Sequence, residues 1–265
     1  MKKIGFIGAG NMGGALAAAV AKSGNAVYLS DACREKAEAL AAEISAVATT
    51  TAEIIENCDT VFLGVKPQIL PAVAKEIGEL VAKRQDGICL VSMAAGVTLS
   101  QLSEFFPDTK IIRIMPNTPA SVGAGVILYA LGEKAREGDE ALLCEALSFA
   151  GSLNKLDEKL IDAATAVSGC GPAFAYMFIE ALADGGVKCG LPREKAQKFA
   201  AEMLLGAAKL CLESGKHPGE LKDAVCSPGG STIAGVAALE DGAFRASVID
   251  AVESAYIRTK ELSGN

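Results

Sequence analysis

The chain has a single histidine, His217, no tryptophan, and only 5% aromatic residues in a length of 265. One imidazole cannot supply a histidine-rich metal centre. The eight cysteines, at positions 33, 58, 89, 144, 170, 189, 211 and 226, contain no C-x-x-C pair. That spacing excludes a zinc ribbon or a thioredoxin-type motif, so the cysteines read as small, mostly buried residues and no metal site is expected. Half of the composition is apolar, yet there is no run of eighteen or more uninterrupted apolar residues, so no membrane span is expected either. Positive charge is also in deficit: 25 Lys and Arg face 32 Asp and Glu, a net charge of −7, with no basic stripe to attract a nucleic acid. The first apolar β-run begins within a few residues of Met1, which leaves no room for a leader and points to the cytoplasm. The length suffices for two hydrophobic cores, and neither an internal repeat nor a low-complexity linker interrupts it.

What is present begins with a glycine pattern. Apolar β-formers from Lys2 to Phe6 lead into Gly8-Ala9-Gly10-Asn11-Met12-Gly13, a G-x-G-x-x-G sequence, and then into an alanine-rich helix to about Ser23. Strand, glycine turn and helix in that order place a pyrophosphate on a helix N-terminus. A second strand, Ala26 to Ser30, ends at Asp31, about 20 residues downstream, where a ribose-binding acid belongs. Arg34 and Lys36 follow at once and either hold a 2′-phosphate or form a solvated helix start. Asp31 alone argues for NADH, so these residues identify a pyridine nucleotide better than its phosphorylation state; the cofactor expected is NADP(H), with NAD(H) possible.

Further apolar runs at Thr60–Val65, Ile88–Ser92, Ile111–Met115 and Val126–Ala130 alternate with helical segments. Such βα repeats predict a mostly parallel sheet covered on both faces, with ligands bound beyond the strand C-termini. Three turns fall there: Gly64-Val65-Lys66-Pro67, Ala94-Ala95-Gly96, and Met115-Pro116-Asn117-Thr118-Pro119. From about Asp157 onward no strand is expected. Helices are predicted over Pro172–Ala183, Pro192–Ser214, Pro218–Val225, Thr232–Leu239 and Phe244–Leu262, each proline lying in a first turn. Apolar faces such as Phe199 to Leu212 exceed what five helices can bury alone, which predicts self-association. The fold expected is an α/β Rossmann-like N-terminal domain, residues 1–154, followed by an all-α dimerisation domain, residues 155–265.

The segment Leu221 to Glu240, LKDAVCSPGGSTIAGVAALE, carries a second pocket. Ser227-Pro228-Gly229-Gly230 should break one helix while Ser231 and Thr232 cap the next, leaving backbone N–H groups for a carboxylate. The hydroxyls of Ser227 and Thr232 stand beside it for a second polar atom of the same small ligand. The plainer alternative is that Pro-Gly-Gly forms an ordinary helix–turn–helix corner.

GFIGAGNMGGAL, FLGVKPQ, SMAAGV, RIMPNTP, SGCGPAF, ADGGVKCGLPR and LKDAVCSPGGSTIAGVAALE, in that order, resemble the pyrroline-5-carboxylate reductase family over essentially the whole chain. The resemblance implies reduction of the ring C=N of 1-pyrroline-5-carboxylate to L-proline by NAD(P)H, the last step of proline biosynthesis. It also implies a helical domain that interlocks with another subunit, often in a larger ring of dimers. Carried over residue by residue, it places the substrate on Val225, Ser227, Gly229, Gly230, Ser231 and Thr232, with Thr232 as the catalytic residue orienting the ring nitrogen. It places the cofactor on Gly8, Ala9, Gly10, Asn11, Met12, Gly13, Ser30, Asp31, Arg34, Thr51, Val65, Lys66, Pro67, Ala94, Ala95, Gly96 and Asn117. Two departures touch the adenosine end of the cofactor: Thr51 stands where many members have Asn, and Ser30-Asp31-Ala32-Cys33-Arg34 replaces the Asn-Arg or Ser-rich sequence of NADPH-preferring members. A hydroxyacid dehydrogenase, the competing enzyme reading, requires a lysine on the first long helix of the helical domain, and the predicted Pro172–Ala183 has none. A nucleotide-sensing protein that had lost its chemistry would have no reason to keep both glycines and both hydroxyls of the Ser-Pro-Gly-Gly-Ser-Thr turn.

Overall fold

Nearly unbroken apolar strands need cover on two faces, and the observed architecture supplies it. The computed structural model describes residues 1–84 and 87–262, in two units: Met1–Cys170 together with the chain from Ala255, and Gly171–Ser254. The first unit runs β1 (Lys3–Ile7), α1 (Asn11–Lys22), β2 (Ala26–Ser30), α2 (Arg34–Ile44), β3 (Val47–Ala48), α3 (Thr51–Asn57), β4 (Thr60–Leu63), α4 (Leu70–Lys83), β5 (Cys89–Ser92), α5 (Leu99–Phe105), β6 (Lys110–Met115), β7 (Gly125–Leu131), α6 (Glu137–Ala146), β8 (Gly151–Lys155) and α7 (Ile161–Ser168). The strands form one sheet in the order β3-β2-β1-β4-β5-β6-β7-β8.

Period-2 alternation sends apolar side chains to both faces. Ile4, Phe6, Phe62, Val91, Ile112 and Ile127 pack with Leu16 and Val20 of α1 and Leu143 of α6 on one face. On the other, Ile7, Val61, Leu63, Leu90 and Ile111 pack with Ile54 of α3, Ile77 of α4 and Leu102 of α5. Phe6 stacks on Phe62 with ring centroids 4.6 Å apart. Burial pushes the thiols of Cys58 and Cys89 up to about 12, but the expectation of mostly buried cysteines holds for these two alone among the eight: Cys144, Cys170, Cys211 and Cys226 are half-buried, and Cys33 and Cys189 are exposed.

Strands β1 to β6 are mutually parallel, as predicted, but β7 runs antiparallel to β6 and β8 parallel to β7. Only residues 116–124 separate β6 from β7. That is too short for a parallel crossover, so the chain turns back through a 3-10 turn at Thr118–Val122. Two strands were not anticipated: β3 is only two residues long, and β8, Gly-Ser-Leu-Asn-Lys, sits on the sheet edge without an apolar run. β4 stops at Leu63, two residues short of the predicted end. Helix α7 was also missed.

Arg113 breaks the apolar run of β6 and is buried. Its Nη1 donates to Glu158 Oε1 at 3.0 Å and its Nη2 to Asp162 Oδ1 at 3.1 Å. The same Glu158 oxygen accepts the Leu99 N–H at 2.7 Å. One guanidinium thus ties the sheet to the start of α5 and to the entry of α7.

The second unit is helical: α8 (Gly171–Lys188), α9 (Arg193–Ser214), α10 (Pro218–Ala224), α11 (Ser231–Asp241) and the beginning of α12 (Phe244–Leu262). α8 outlasts its predicted end at Ala183, passing through Gly185 and Gly186. A Cβ at Gly186 would stand 3.2 Å from Ala196 Cβ and 3.3 Å from Leu191 Cδ1, so the close packing of α9 offsets glycine's poor helix propensity. Pro218 is at the first helical position, with His217 Nδ1 accepting the Gly219 N–H at 3.1 Å. Pro192 is instead the N-cap of α9. Among the described residues, the buried apolar side chains of this unit are three alanines, at 183, 196 and 200, while sixteen large apolar side chains in it are exposed.

Replacing Arg113 by Met should lower stability by about 3 kcal/mol, the low end for breaking a buried ion pair because Glu158 is partly exposed and regains water. An unchanged urea midpoint would show that the clamp contributes nothing.

Candidate active site

The six parallel strands end on one edge of the sheet, and the predicted ligand-binding turns follow them there. β1 runs into Gly8, whose φ of +108° suits only glycine and whose N–H donates to Ser30 O at 2.8 Å. A Cβ at Gly13 would stand 2.2 Å from Gly8 O, and one at Gly8 would stand 2.7 Å from Gly64 O. The first turn of α1 therefore lies directly on the turns after β1 and β4. Gly64, expected in the ligand-binding turn after β4 but not singled out as a cofactor contact, forms the floor of this cradle. At Gly10, by contrast, a Cβ would meet nothing within 4 Å. Gly10 is the N-cap of α1, with no side-chain cap and no acid in the first turn. The N–H groups of Asn11, Met12 and Gly13 thus form an anion cradle against which a phosphate-bearing group fits.

Asp31 stands at the end of β2. Its Oδ2 accepts the Ala9 N–H at 2.7 Å and its Oδ1 the Cys33 N–H at 2.9 Å. Beside it opens a cavity of about 430 Å³ lined by Ser30, Asp31, Arg34, Thr51 and Glu53, among others. The structure therefore brings together the four residues predicted for the adenosine end. Ser30 Oγ and Thr51 Oγ1 are 3.2 Å apart. Arg34 is turned onto Glu38, Nε to Oε1 at 2.7 Å, with both side chains exposed. Thr51 is the first residue of α3, and the preceding Thr50 forms a capping box with Glu53. The Thr49 hydroxyl and the Thr50 N–H hold the Glu53 carboxyl below the usual carboxylate range. Thr49, Thr50 and Glu53 were missed, although Thr-x-x-Glu at 50–53 is a readable capping signature.

Along the same edge, Val65, Lys66 and Pro67 follow β4, with Lys66 exposed. Ala94, Ala95 and Gly96 follow β5; Gly96 has φ +76°, and the Ala94 N–H donates to Ser92 Oγ at 3.3 Å. Asn117 follows β6, but its amide is buried and engaged at both ends: Nδ2 donates to Ser168 O and Oδ1 accepts the Val126 N–H, each at 2.9 Å. One Nδ2 hydrogen and one Oδ1 lone pair remain beyond these two bonds.

The second unit holds the other predicted pocket. After α10, the Gly230 N–H donates to Ser227 O at 3.0 Å and Gly229 takes φ +67°. The expected cap is displaced by one residue: Gly230 is the N-cap of α11, while Ser231 and Thr232 are its first helical residues. The turn closed onto Ser227 leaves Gly230 extended, at φ −79° and ψ 170°, the geometry an N-cap requires. Its Cα faces the Ser227 hydroxyl so closely that a Cβ there would lie 2.3 Å from Oγ. Val225, Ser227, Gly229, Ser231 and Thr232 are exposed. α11 has no side-chain cap and no acid in its first turn. Among the described residues, no group of three or more His, Cys, Asp or Glu side chains could hold a metal ion.

Two family models match the chain: one described as pyrroline-5-carboxylate reductase dimerisation, over residues 158–262, and one as NADP oxidoreductase, coenzyme F420-dependent, over residues 3–96. The pyrroline-5-carboxylate reductase of Arabidopsis thaliana is 44% identical over 269 residues, covering 98% of this chain and 95% of that protein. The chain belongs to the pyrroline-5-carboxylate reductase family. Solved members agree in fold: the Coxiella burnetii reductase superposes with a TM-score of 0.90 at 29% identity over 98% of each chain. The Plasmodium falciparum reductase, whose crystal structure has NADP bound, gives 0.86 at 31% identity over 99% of this chain and 100% of that one. In family terms, the matched segment 3–96 contains the glycine cradle and Asp31, and the segment 158–262 contains the Ser227–Thr232 turn. Because α8 continues to Lys188, the first long helix of the second unit, expected to lack lysine, carries one in its last turn.

Gly13→Ala should weaken dinucleotide binding by at least about tenfold and lower stability by about 1–3 kcal/mol, because its methyl must push the Gly8 carbonyl aside. Titration calorimetry and thermal unfolding read both effects; an unchanged affinity would remove the cradle from the site.

Proposed function

We propose that the protein reduces the C=N bond of 1-pyrroline-5-carboxylate to give L-proline, using NAD(P)H. The observation that carries this reading is the turn from Ser227 to Thr232, which offers backbone N–H groups and hydroxyls to a small carboxylate without any charged side chain. The full-length relatives are named for this reaction.

The Gly230 N–H is spent on Ser227 O, so the substrate carboxylate falls to the N–H groups of Ser231, Thr232 and Ile233 at the start of α11. Thr232 Oγ1 then holds the ring nitrogen, and Ser227 Oγ closes the other side. When bound, the reduced nicotinamide supplies a hydride from its C4. An imine that binds already protonated takes the hydride at carbon and moves its π pair to nitrogen, so no protein acid is needed. That accounts for a turn without His, Lys or Asp. The protein's contribution is positioning, an effect worth at most about 7–11 kcal/mol. The cradle of Gly8, Gly10 and Gly13, with Ser30, Asp31 and Thr51, orients the cofactor.

We assign residues 1–154 to cofactor binding and residues 155–265 to substrate binding and self-association. The second unit has a groove of about 410 Å³ lined by Phe174, Met177, Phe178, Leu239, Phe244 and Val248, among others. By length and composition alone, Glu158–Lys188 is apolar enough to cross a membrane, and only 11% of its most apolar window is buried. The matched dimerisation model begins at the same residue, 158, which favours a second copy of the chain over lipid as the cover.

Purified protein with racemic pyrroline-5-carboxylate should oxidise reduced nicotinamide cofactor, and Thr232→Ala should lose roughly 1–3 kcal/mol in kcat/KM, the value of one orienting hydrogen bond. No turnover with either cofactor would overturn the reaction; full activity of the variant would overturn the role of Thr232. Sedimentation equilibrium should show a dimer or larger assembly that Met177→Glu dissociates, and a monomeric wild type would refute self-association.

A further inference from the structure

The cavity beside Asp31 is charged in a way that bears on which dinucleotide it accepts. Three carboxylates line it, from Asp31, Glu53 and Glu76, against one cation, Arg34. Two of the three are fixed. Asp31 accepts a backbone N–H on each oxygen, from Ala9 and Cys33, and cannot turn away without leaving both donors unpaired. Glu53 is held in the capping box of α3. Each Asp31 oxygen has a further lone pair, so the carboxylate can still accept the hydroxyl hydrogens of a ribose diol. A 2′-phosphate offers no such hydrogens when ionised and brings like charge to a carboxylate that cannot retreat. Arg34 is committed to Glu38. The pair is exposed and weak, so Arg34 can turn inward, but one guanidinium does not offset three carboxylates. Lys36 lies on α2 outside the lining, among Glu35 and Glu38.

We infer that Asp31 makes this enzyme NADH-preferring: its fixed carboxylate accepts the ribose 2′-hydroxyl and repels a 2′-phosphate at the same place. The inference rests on the proposed dinucleotide role of the cradle. The Plasmodium relative was solved with NADP; the preference inferred here comes from the residues of this chain.

The test is titration calorimetry of the full chain with ADP-ribose and 2′-phospho-ADP-ribose, at low and high salt. ADP-ribose should bind tighter by at least about tenfold, with a gap that narrows as salt screens the repulsion. Asp31→Asn keeps the side chain's shape and removes its charge, and should bring the two affinities within about threefold mainly by strengthening the phosphorylated ligand. Asp31→Ser serves as a second variant should Asn disturb the turn after β2. The ratio of kcat/KM for NADH and NADPH should follow. Equal or tighter wild-type binding of the phosphorylated ligand, or an unchanged ratio in both variants, would overturn the inference while leaving the reductase reading intact. Glu38→Gln, which releases Arg34, should shift the ratio less than Asp31→Asn; if it alone inverts the preference, Arg34 is the selector and the inference falls. Failure to bind either ligand would bring down the dinucleotide role as well.

Discussion

The contact on which the first unit's site depends is the approach of α1 to the turns after β1 and β4, where Gly13 meets the Gly8 carbonyl and Gly8 meets Gly64. No side chain larger than hydrogen fits at these meeting points. Close approach sets the height of the helix start above the sheet edge, and hence where its N–H groups stand. It also brings the Ala9 N–H within 2.7 Å of Asp31, so the same contact that shapes the anion cradle fixes the neighbouring carboxylate. Phosphate attraction and ribose recognition are thus two results of one packing constraint.

Much of this was legible in the sequence because the determinants are local. The glycine spacing, the apolar runs of β1, β2, β4, β5 and β6, and the Pro218 helix start are each set by neighbours within a turn or a strand. The parts that escaped are those decided by distant residues. β8 is a strand because β7 lies beside it, from Gly125–Gly151 to Tyr129–Lys155, and its own residues carry little β signal. α8 runs through two glycines because α9 packs there. The loop Pro-Asn-Thr-Pro does not show that the Asn117 amide also bonds the Ser168 carbonyl and the Val126 N–H, both outside that loop. The one-residue displacement of the α11 cap is a local exception: the turn closed onto Ser227, three residues before Gly230, makes Gly230 the cap ahead of Ser231.

The two candidate pockets use charge in opposite ways. At the end of β2, carboxylates are concentrated and pinned, which suits a neutral polyol. At the start of α11 there is no ionisable side chain in the turn, and the positive field comes from peptide dipoles alone. A backbone site does not titrate, so its affinity for a carboxylate depends on the charge of the ligand and not on the protonation state of the protein. A carboxylate substrate that must bind as the iminium is well served by such a site, since no lysine or arginine competes with the ring nitrogen for the negative charge.

Among the described residues, the second unit encloses three small apolar side chains while leaving sixteen large apolar ones exposed. Apolar burial is the main term that offsets the conformational entropy lost on folding. Under the proposed self-association, much of that term would come from contact with a second copy, and completing the helical unit would be a bimolecular event. Its rate and yield then depend on the concentration of newly made chains, so a cell producing few copies would leave the helices unfinished for longer, open to proteases, even when every chain carries the same sequence.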